Sequence, residues 1–231
     1  MPYDISEHVQ KWTLEATVPA VDFNDIHAAI EDLITKRFYE YVPTAAGPHP
    51  DFRTRLANWL DQVSNADQKV LFQLVPHIFF LGREEFMSLC RAAFRTSILK
   101  WLVDQSGLQF SNTNFEGELN QVLQETWFCS ITDWDLGTFY RVNRISGAGM
   151  RPDLTSLSKL SSARELRTFL RDQNLRRVVV LEDFVGSGLQ MREVEPILTS
   201  LAGSSPTLIV PLVVCPSGYL AGATLAAQIL T

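Results

Sequence analysis

The sequence lacks the marks of a membrane, secreted or nucleic-acid-coating protein. No stretch approaches the ~20 consecutive apolar residues that a bilayer span requires. The start, Met1-Pro2-Tyr3-Asp4, has no basic-then-apolar leader pattern. Cysteine is scarce. Cys90, Cys129 and Cys215 are odd in number, far apart and without metal-ligand spacing, which argues against a disulfide scaffold. They read as reduced thiols, two or three of them buried. Positive charge is in deficit, with 20 Lys and Arg against 26 Asp and Glu and a net charge of −6. That balance offers no general basic face, so nucleic acid is not indicated as a partner. There is no internal repeat and no low-complexity run. A cytoplasmic location without a membrane partner is the expectation.

What is present suits a folded globular protein, 46% apolar and 20% charged. The 231 residues suffice for one large domain or two small ones. The expected division is a helical N-terminal region over 1–110 and an α/β domain over 111–231. Residues 1–20 resist assignment. Asp22 or Asn24 can cap a helix over about 25–39 with Ile26, Ala29, Ile30, Leu33 and Ile34 on one face. Residues 43–50, with Pro43, Gly47 and Pro50, read as a loop. A second helix follows over about 51–63, with Leu56, Trp59, Leu60 and Val63 inward. A third begins after Ser64 with a stripe of Val70, Leu71, Leu74 and Val75, and Pro76 is expected to kink or end it. A longer helix over about 84–105 stops at Ser106-Gly107. Trp59 and Trp101 read as core residues. His27 and His77 have no partner at a metal-ligand spacing and read as packed or surface histidines. This half shows no catalytic motif; a surface for a protein partner or a second copy is the role open to it.

The second half alternates. A short helix over 115–124 precedes a strand over 126–131, and a loop over 132–138 follows. Residues 139–145 fit either an extended piece or a helical turn. Residues 146–149 read as flexible and 150–162 as irregular. Ser161 or Ser162 can cap a helix reaching Asp172. The apolar run Val178–Leu181 reads as a buried strand. A helix over about 191–201 follows, kinked or shortened by Pro196. Then come a strand over 207–214, whose Pro211 suggests a bulge or an edge position, and a helix over 219–230. Strand and helix in alternation predict a parallel sheet with right-handed crossovers. Three strands are few for a doubly wound sheet. The expectation is a chain continuing past Thr231, or an N-terminal region that covers the open edge.

Everything else can be read as support for one turn, Glu182-Asp183-Phe184-Val185-Gly186-Ser187-Gly188-Leu189-Gln190. Ligands of open α/β sheets sit at the carboxyl ends of strands, near helix N-termini. Two adjacent acids there can accept hydrogen bonds from vicinal hydroxyls or hold a divalent cation. Backbone N–H groups of the loop, with the helix behind them, suit a phosphate. Gly186 and Gly188 permit close approach and positive φ angles. Together these groups fit a ribose 5-phosphate. A plainer reading also fits: Ser187-x-x-Gln190 matches a capping box, with the acids a polar strand end.

The stretch resembles the signature of the type I phosphoribosyltransferase family, in which a hydrophobic strand, an acidic pair and a Ser/Thr-Gly-rich loop bind phosphoribosyl pyrophosphate. Glu182-Asp183 matches the acidic pair, and Gly186, Ser187, Gly188, Leu189 and Gln190 match the phosphate loop. Two positions depart: Phe184 stands where an aliphatic residue is usual, and Gln190 where a hydroxyl residue normally closes the loop. The resemblance implies a Rossmann-like parallel sheet of the phosphoribosyltransferase type, Mg²⁺ as cofactor, and phosphoribosyl pyrophosphate or a nucleotide as ligand. It also implies ribose contacts and transition-state stabilisation by Glu182 and Asp183, and phosphate binding by residues 186–190. With its helical N-terminus the chain looks like the phosphoribosyltransferase-like domains of bacterial conflict, or anti-phage, systems. The family needs a pyrophosphate loop after an earlier strand. Residues 132–138 stand in the right order, with Gly137, Thr138, Arg141 and Arg144 as anion partners and Asp133 and Asp135 facing pyrophosphate across Mg²⁺. Alternatively those acids are turn residues and the arginines solvated. Two functions follow: transfer of the phosphoribosyl group to a nitrogen acceptor with release of pyrophosphate, or a non-catalytic sensor or effector.

Overall fold

The structure is a computed structural model that describes residues 4–15, 22–40, 51–132, 134, 136–145, 156–160, 162–201 and 203–230. The loops expected at 43–50 and 146–149, the irregular residues 150–155, and Ser161, Asp133 and Asp135 lie outside them. The chain forms two compact units, Met1–Phe86 and Met87–Thr231.

The first unit is helical. It holds α1 (Ile5–Glu15), α2 (Phe23–Lys36), α3 (Phe52–Asp61) and α4 (Asn65–Leu74). Three side chains start three of these helices by accepting otherwise orphaned N–H groups. They are Asp22 before α2, Asp51 before α3 and Ser64 before α4. The core gathers around Trp12, which is fully buried among Phe23 and Phe72 and donates its indole N–H to Asn65 Oδ1 at 2.9 Å. Trp12 thus places the N-terminal residues that the sequence pattern leaves unassigned.

Two expectations need correction here. Trp59 is 43% exposed and not core. Of the stripe expected on α4, Val75 is buried and Leu71 packs against the core, whereas Val70 and Leu74 are exposed and Gln68 and Phe72 are buried. Gln68 can be buried because its amide donates to Leu60 O at 3.0 Å and Val63 O at 3.2 Å, carbonyls at the end of α3. At Pro76 the helix does end, in a single 3-10 turn, Val75–His77.

The stretch expected as one helix from 84 to 105 is interrupted. α5 (Arg83–Ala92) passes into a π-helical turn at Ala93–Ile98, then α6 (Leu99–Ser106). The wide turn disturbs the normal i→i−4 pairing, and Asn143 Nδ2 donates to Cys90 O at 3.2 Å. Gly107, in a left-handed conformation, closes α6.

The second unit then runs α7 (Phe115–Gln124), β1 (Thr126–Cys129), α8 (Gly137–Val142), α9 (Ala163–Asp172), β2 (Arg177–Val185), α10 (Leu189–Thr199), β3 (Thr207–Val214) and α11 (Pro216–Leu230). The three strands are parallel, in the order β1-β2-β3. Val178, Val179, Val180 and Leu181 of the middle strand are wholly buried. Each of these side chains contributes about 1.5–3 kcal/mol by leaving water. Pro211 lies in the outer strand, where a missing N–H costs least. Residues 139–142 are helical, which settles the choice left open there. α10 passes through Pro196 and ends three residues later. Among the described residues no helix is long and apolar enough to cross a membrane.

Candidate functional site

β2 continues past its apolar run, because β3 pairs with it as far as Val185↔Val214. Glu182 and Asp183 are therefore strand residues, and the two carboxylates have different surroundings. Glu182 is 2% exposed. Its Oε1 accepts the backbone N–H of Ile131, and the N–H of Thr132 also points to its carboxylate. Burial pushes its pKa above the ordinary 4.5, and the charge of Asp183 adds to the rise; the Ile131 and Thr132 N–H groups oppose it without cancelling it. Asp183 is exposed, and its Oδ1 accepts the backbone N–H of Phe184 at 2.7 Å.

The loop that follows is held from beneath. Gly188 has φ +77° and is buried; a Cβ there would come within 2.4 Å of Ala221 Cβ on α11. Gly218, on the same helix, lies so close that a Cβ would meet Gly186 O and Val185 O at 2.6 Å. Ser217 Oγ donates to Gly186 O at 3.1 Å, and Cys215 N to Val185 O at 2.9 Å. The first turn of α11 thus fixes the loop backbone, and the two glycines permit that approach. A cavity of about 270 Å³ opens in front, lined by Glu182, Phe184 and all five loop residues from Gly186 to Gln190. Asp183 is not part of its wall. A second, apolar cavity of about 460 Å³ runs along β3, with Trp101 and Tyr219 in its wall, and shares Val185 and Met191 with the first.

The capping box is not formed. Gly188, not Ser187, is the N-cap of α10, and no side chain caps the helix. Ser187 Oγ instead accepts the Leu189 N–H at 3.4 Å in a local turn. The start of this 11-residue helix lies at the same end of the sheet as the cavity, whose wall includes Leu189 and Gln190 of its first turn.

After β1 the described residues 136–145 form a short helix and its end. α8 begins at Gly137, and Arg141 Nη2 donates to Thr138 Oγ at 3.0 Å, which ties together two groups expected to meet pyrophosphate. Arg144 has φ +54° at the end of that helical turn. Among the described residues no group of three or more His, Cys, Asp or Glu side chains could hold a metal ion. Burial drives the thiol of Cys90 up to about 11 and that of Cys129 well above its usual value, so both are unreactive; Cys215 is half-buried.

Sequence reasoning missed the residues that brace the site. Ser217 and Gly218 are legible only as a turn after a strand. Ser156 and Ser158, which bond to the end of β1, follow a stretch without periodicity.

A parallel sheet with a glycine-held loop between a strand end and a helix N-terminus is an α/β architecture of the Rossmann-like kind. More specifically, residues 56–221 match the family model PRTase-CE, a phosphoribosyltransferase-type domain. The chain belongs to that family. No curated protein and no solved structure matches it.

Proposed function

We propose that this protein binds phosphoribosyl pyrophosphate, or a related ribose 5-phosphate or nucleotide, with the 5-phosphate in the loop from Gly186 to Gln190. The observation that carries the reading is the cavity before that loop, whose wall joins Glu182 of the strand end to all five residues from Gly186 to Gln190 at the start of α10. A phosphate there would accept hydrogen bonds from N–H groups of the loop and of the first turn of α10, and the positive end of the helix dipole would favour its charge. Ser187 adds a hydroxyl. Asp183, exposed at the strand end, offers acceptors for ribose hydroxyls, and Glu182 presents its remaining edge to the cavity. Mg²⁺ would enter with the pyrophosphate, since one carboxylate plus phosphate oxygens is a common setting for that ion. When bound, it would neutralise the leaving pyrophosphate.

Turnover is the finer claim. Transfer would break the bond between the ribose anomeric carbon and pyrophosphate and form one to a nitrogen acceptor, the carboxylates favouring positive charge on the sugar. Calorimetry with phosphoribosyl pyrophosphate and Mg²⁺, paired with an assay for released pyrophosphate, separates the cases. Binding that Asp183→Asn weakens at least tenfold is expected. Pyrophosphate release with an added nitrogen base identifies an enzyme, and binding without release identifies a sensor or effector, the role such a domain would serve in a bacterial defence system. No binding to the wild type rejects both.

A further inference from the structure

We propose that Glu182 is a positioning residue, whose buried carboxylate clamps the backbone of Ile131 and Thr132 to the end of β2 and so holds the chain after β1 beside the phosphate cradle. The backbone ladder between β1 and β2 stops at Cys129↔Val180. Past that point the N–H groups of Ile131 and Thr132 have no strand partner on β2, and both point to the Glu182 carboxylate instead. An acid at 182 therefore extends the ladder by a side chain where the main chains part.

The other side of this segment is closed as carefully. Ile131 O accepts Ser158 N at 2.9 Å and Ser156 Oγ at 3.0 Å. Ser130 O accepts Leu157 N at 2.8 Å, and Ser130 Oγ donates to Thr132 O at 2.8 Å. Carbonyls are thus served by residues 130 and 156–158, and N–H groups by Glu182. Among the described residues Glu182 is the acceptor of the Ile131 N–H, so removing the carboxylate leaves a buried donor unmet, and the segment must shift. Ile131 itself lines the 270 Å³ cavity, so the shift reaches the cradle.

The groups facing the carboxylate make its state sensitive to pH. Asp183 adjoins it on β2 and the Cys129 thiol faces it from β1, while Pro211, opposite on β3, carries no charge. Ionised, Glu182 accepts both N–H groups; protonated, one of its oxygens becomes a donor and competes with them.

The test is made on the whole ligand-free chain by amide NMR and hydrogen exchange. The amide signals of Ile131 and Thr132 should titrate together, with one midpoint above the usual glutamate range. Glu182→Gln should abolish that step, Glu182→Ala should speed exchange at both amides about tenfold or more, and Asp183→Asn should do neither. Two amides that titrate apart or not at all in the wild type overturn the proposal, and this holds even if Glu182→Ala fails to fold. Equal exchange in wild type and Glu182→Ala overturns it as well. The link to the cradle rests on the phosphoribosyl reading and has its own readout. Glu182→Ala should weaken ribose 5-phosphate binding with the amides perturbed, whereas a direct ligand contact would weaken it with the amides unmoved. Absence of ligand binding in the wild type would count against that reading alone, since the amide measurements need no ligand.

Discussion

At Gly188 a hydrogen atom in place of a methyl group lets the loop lie against α11. Its φ of +77° disfavours any side chain, and Ala221 Cβ occupies the space a Cβ would need. Gly188→Ala should cost about 2–4 kcal/mol, from ~1–2 for the left-handed backbone and the remainder from overpacking. Urea unfolding measures it. Gly218→Ala has ordinary backbone angles yet would press on two carbonyl oxygens, so it should disturb the loop from below and weaken ribose 5-phosphate binding as well as stability. Glu182 gives a second prediction. Folding raises its pKa, so the native state holds that proton more tightly than the unfolded chain does. Its contribution to stability is therefore full below the ordinary value of 4.5 and is lost as pH rises through the folded value. Across that window wild type should lose stability relative to Glu182→Gln, as denaturation at several pH values would show; a difference that does not vary with pH would refute it. Nothing in the sequence reveals the contrast between Glu182 and its neighbour. Two adjacent acids look alike until the register shows that one faces the gap where β1 and β2 part.

At the scale of elements, α10 carries a tension of its own. Pro196 sits within the helix, on its exposed side, and cannot donate to the carbonyl of Arg192. Pro196→Ala restores that donor and should stabilise the protein by about 1–3 kcal/mol, below the full ~3 kcal/mol of an interior proline because the unfolded chain regains freedom. A thermal melt that falls would contradict this. Sequence periodicity located most of these elements, because apolar residues at helical spacing and β-branched runs act locally. It erred where a tertiary bond outweighs the local pattern. Gln68 is polar by type but buried with its bonds to the end of α3, and Trp59 is apolar by type but lies 43% exposed on α3. The π turn at Ala93–Ile98 likewise has no signature in residue type; Asn143, which bonds Cys90 O just before it, is about fifty residues away. Pro211 was legible, since a proline in a strand marks an edge.

For the whole molecule, the acidic balance is the feature a phosphate site must overcome. A chain of net charge −6 repels an anionic ligand at long range. On the proposed reading, binding would depend on local donors: loop backbone, the Ser187 hydroxyl and the start of α10. The glycine loop was readable in sequence, because glycines between an apolar strand and a helix mark a tight turn. Its support by Ser217 and Gly218 was not, since α11 meets the loop only once the chain is folded. Family membership agrees with a phosphoribosyl ligand at this level. Calorimetric titration with ribose 5-phosphate and, separately, with ribose tests the phosphate cradle most directly. Saturable heat with ribose 5-phosphate, at least tenfold tighter than with ribose and lost in Gly188→Ala, is the expected result. No heat with ribose 5-phosphate, or equal binding of the two sugars, would contradict it.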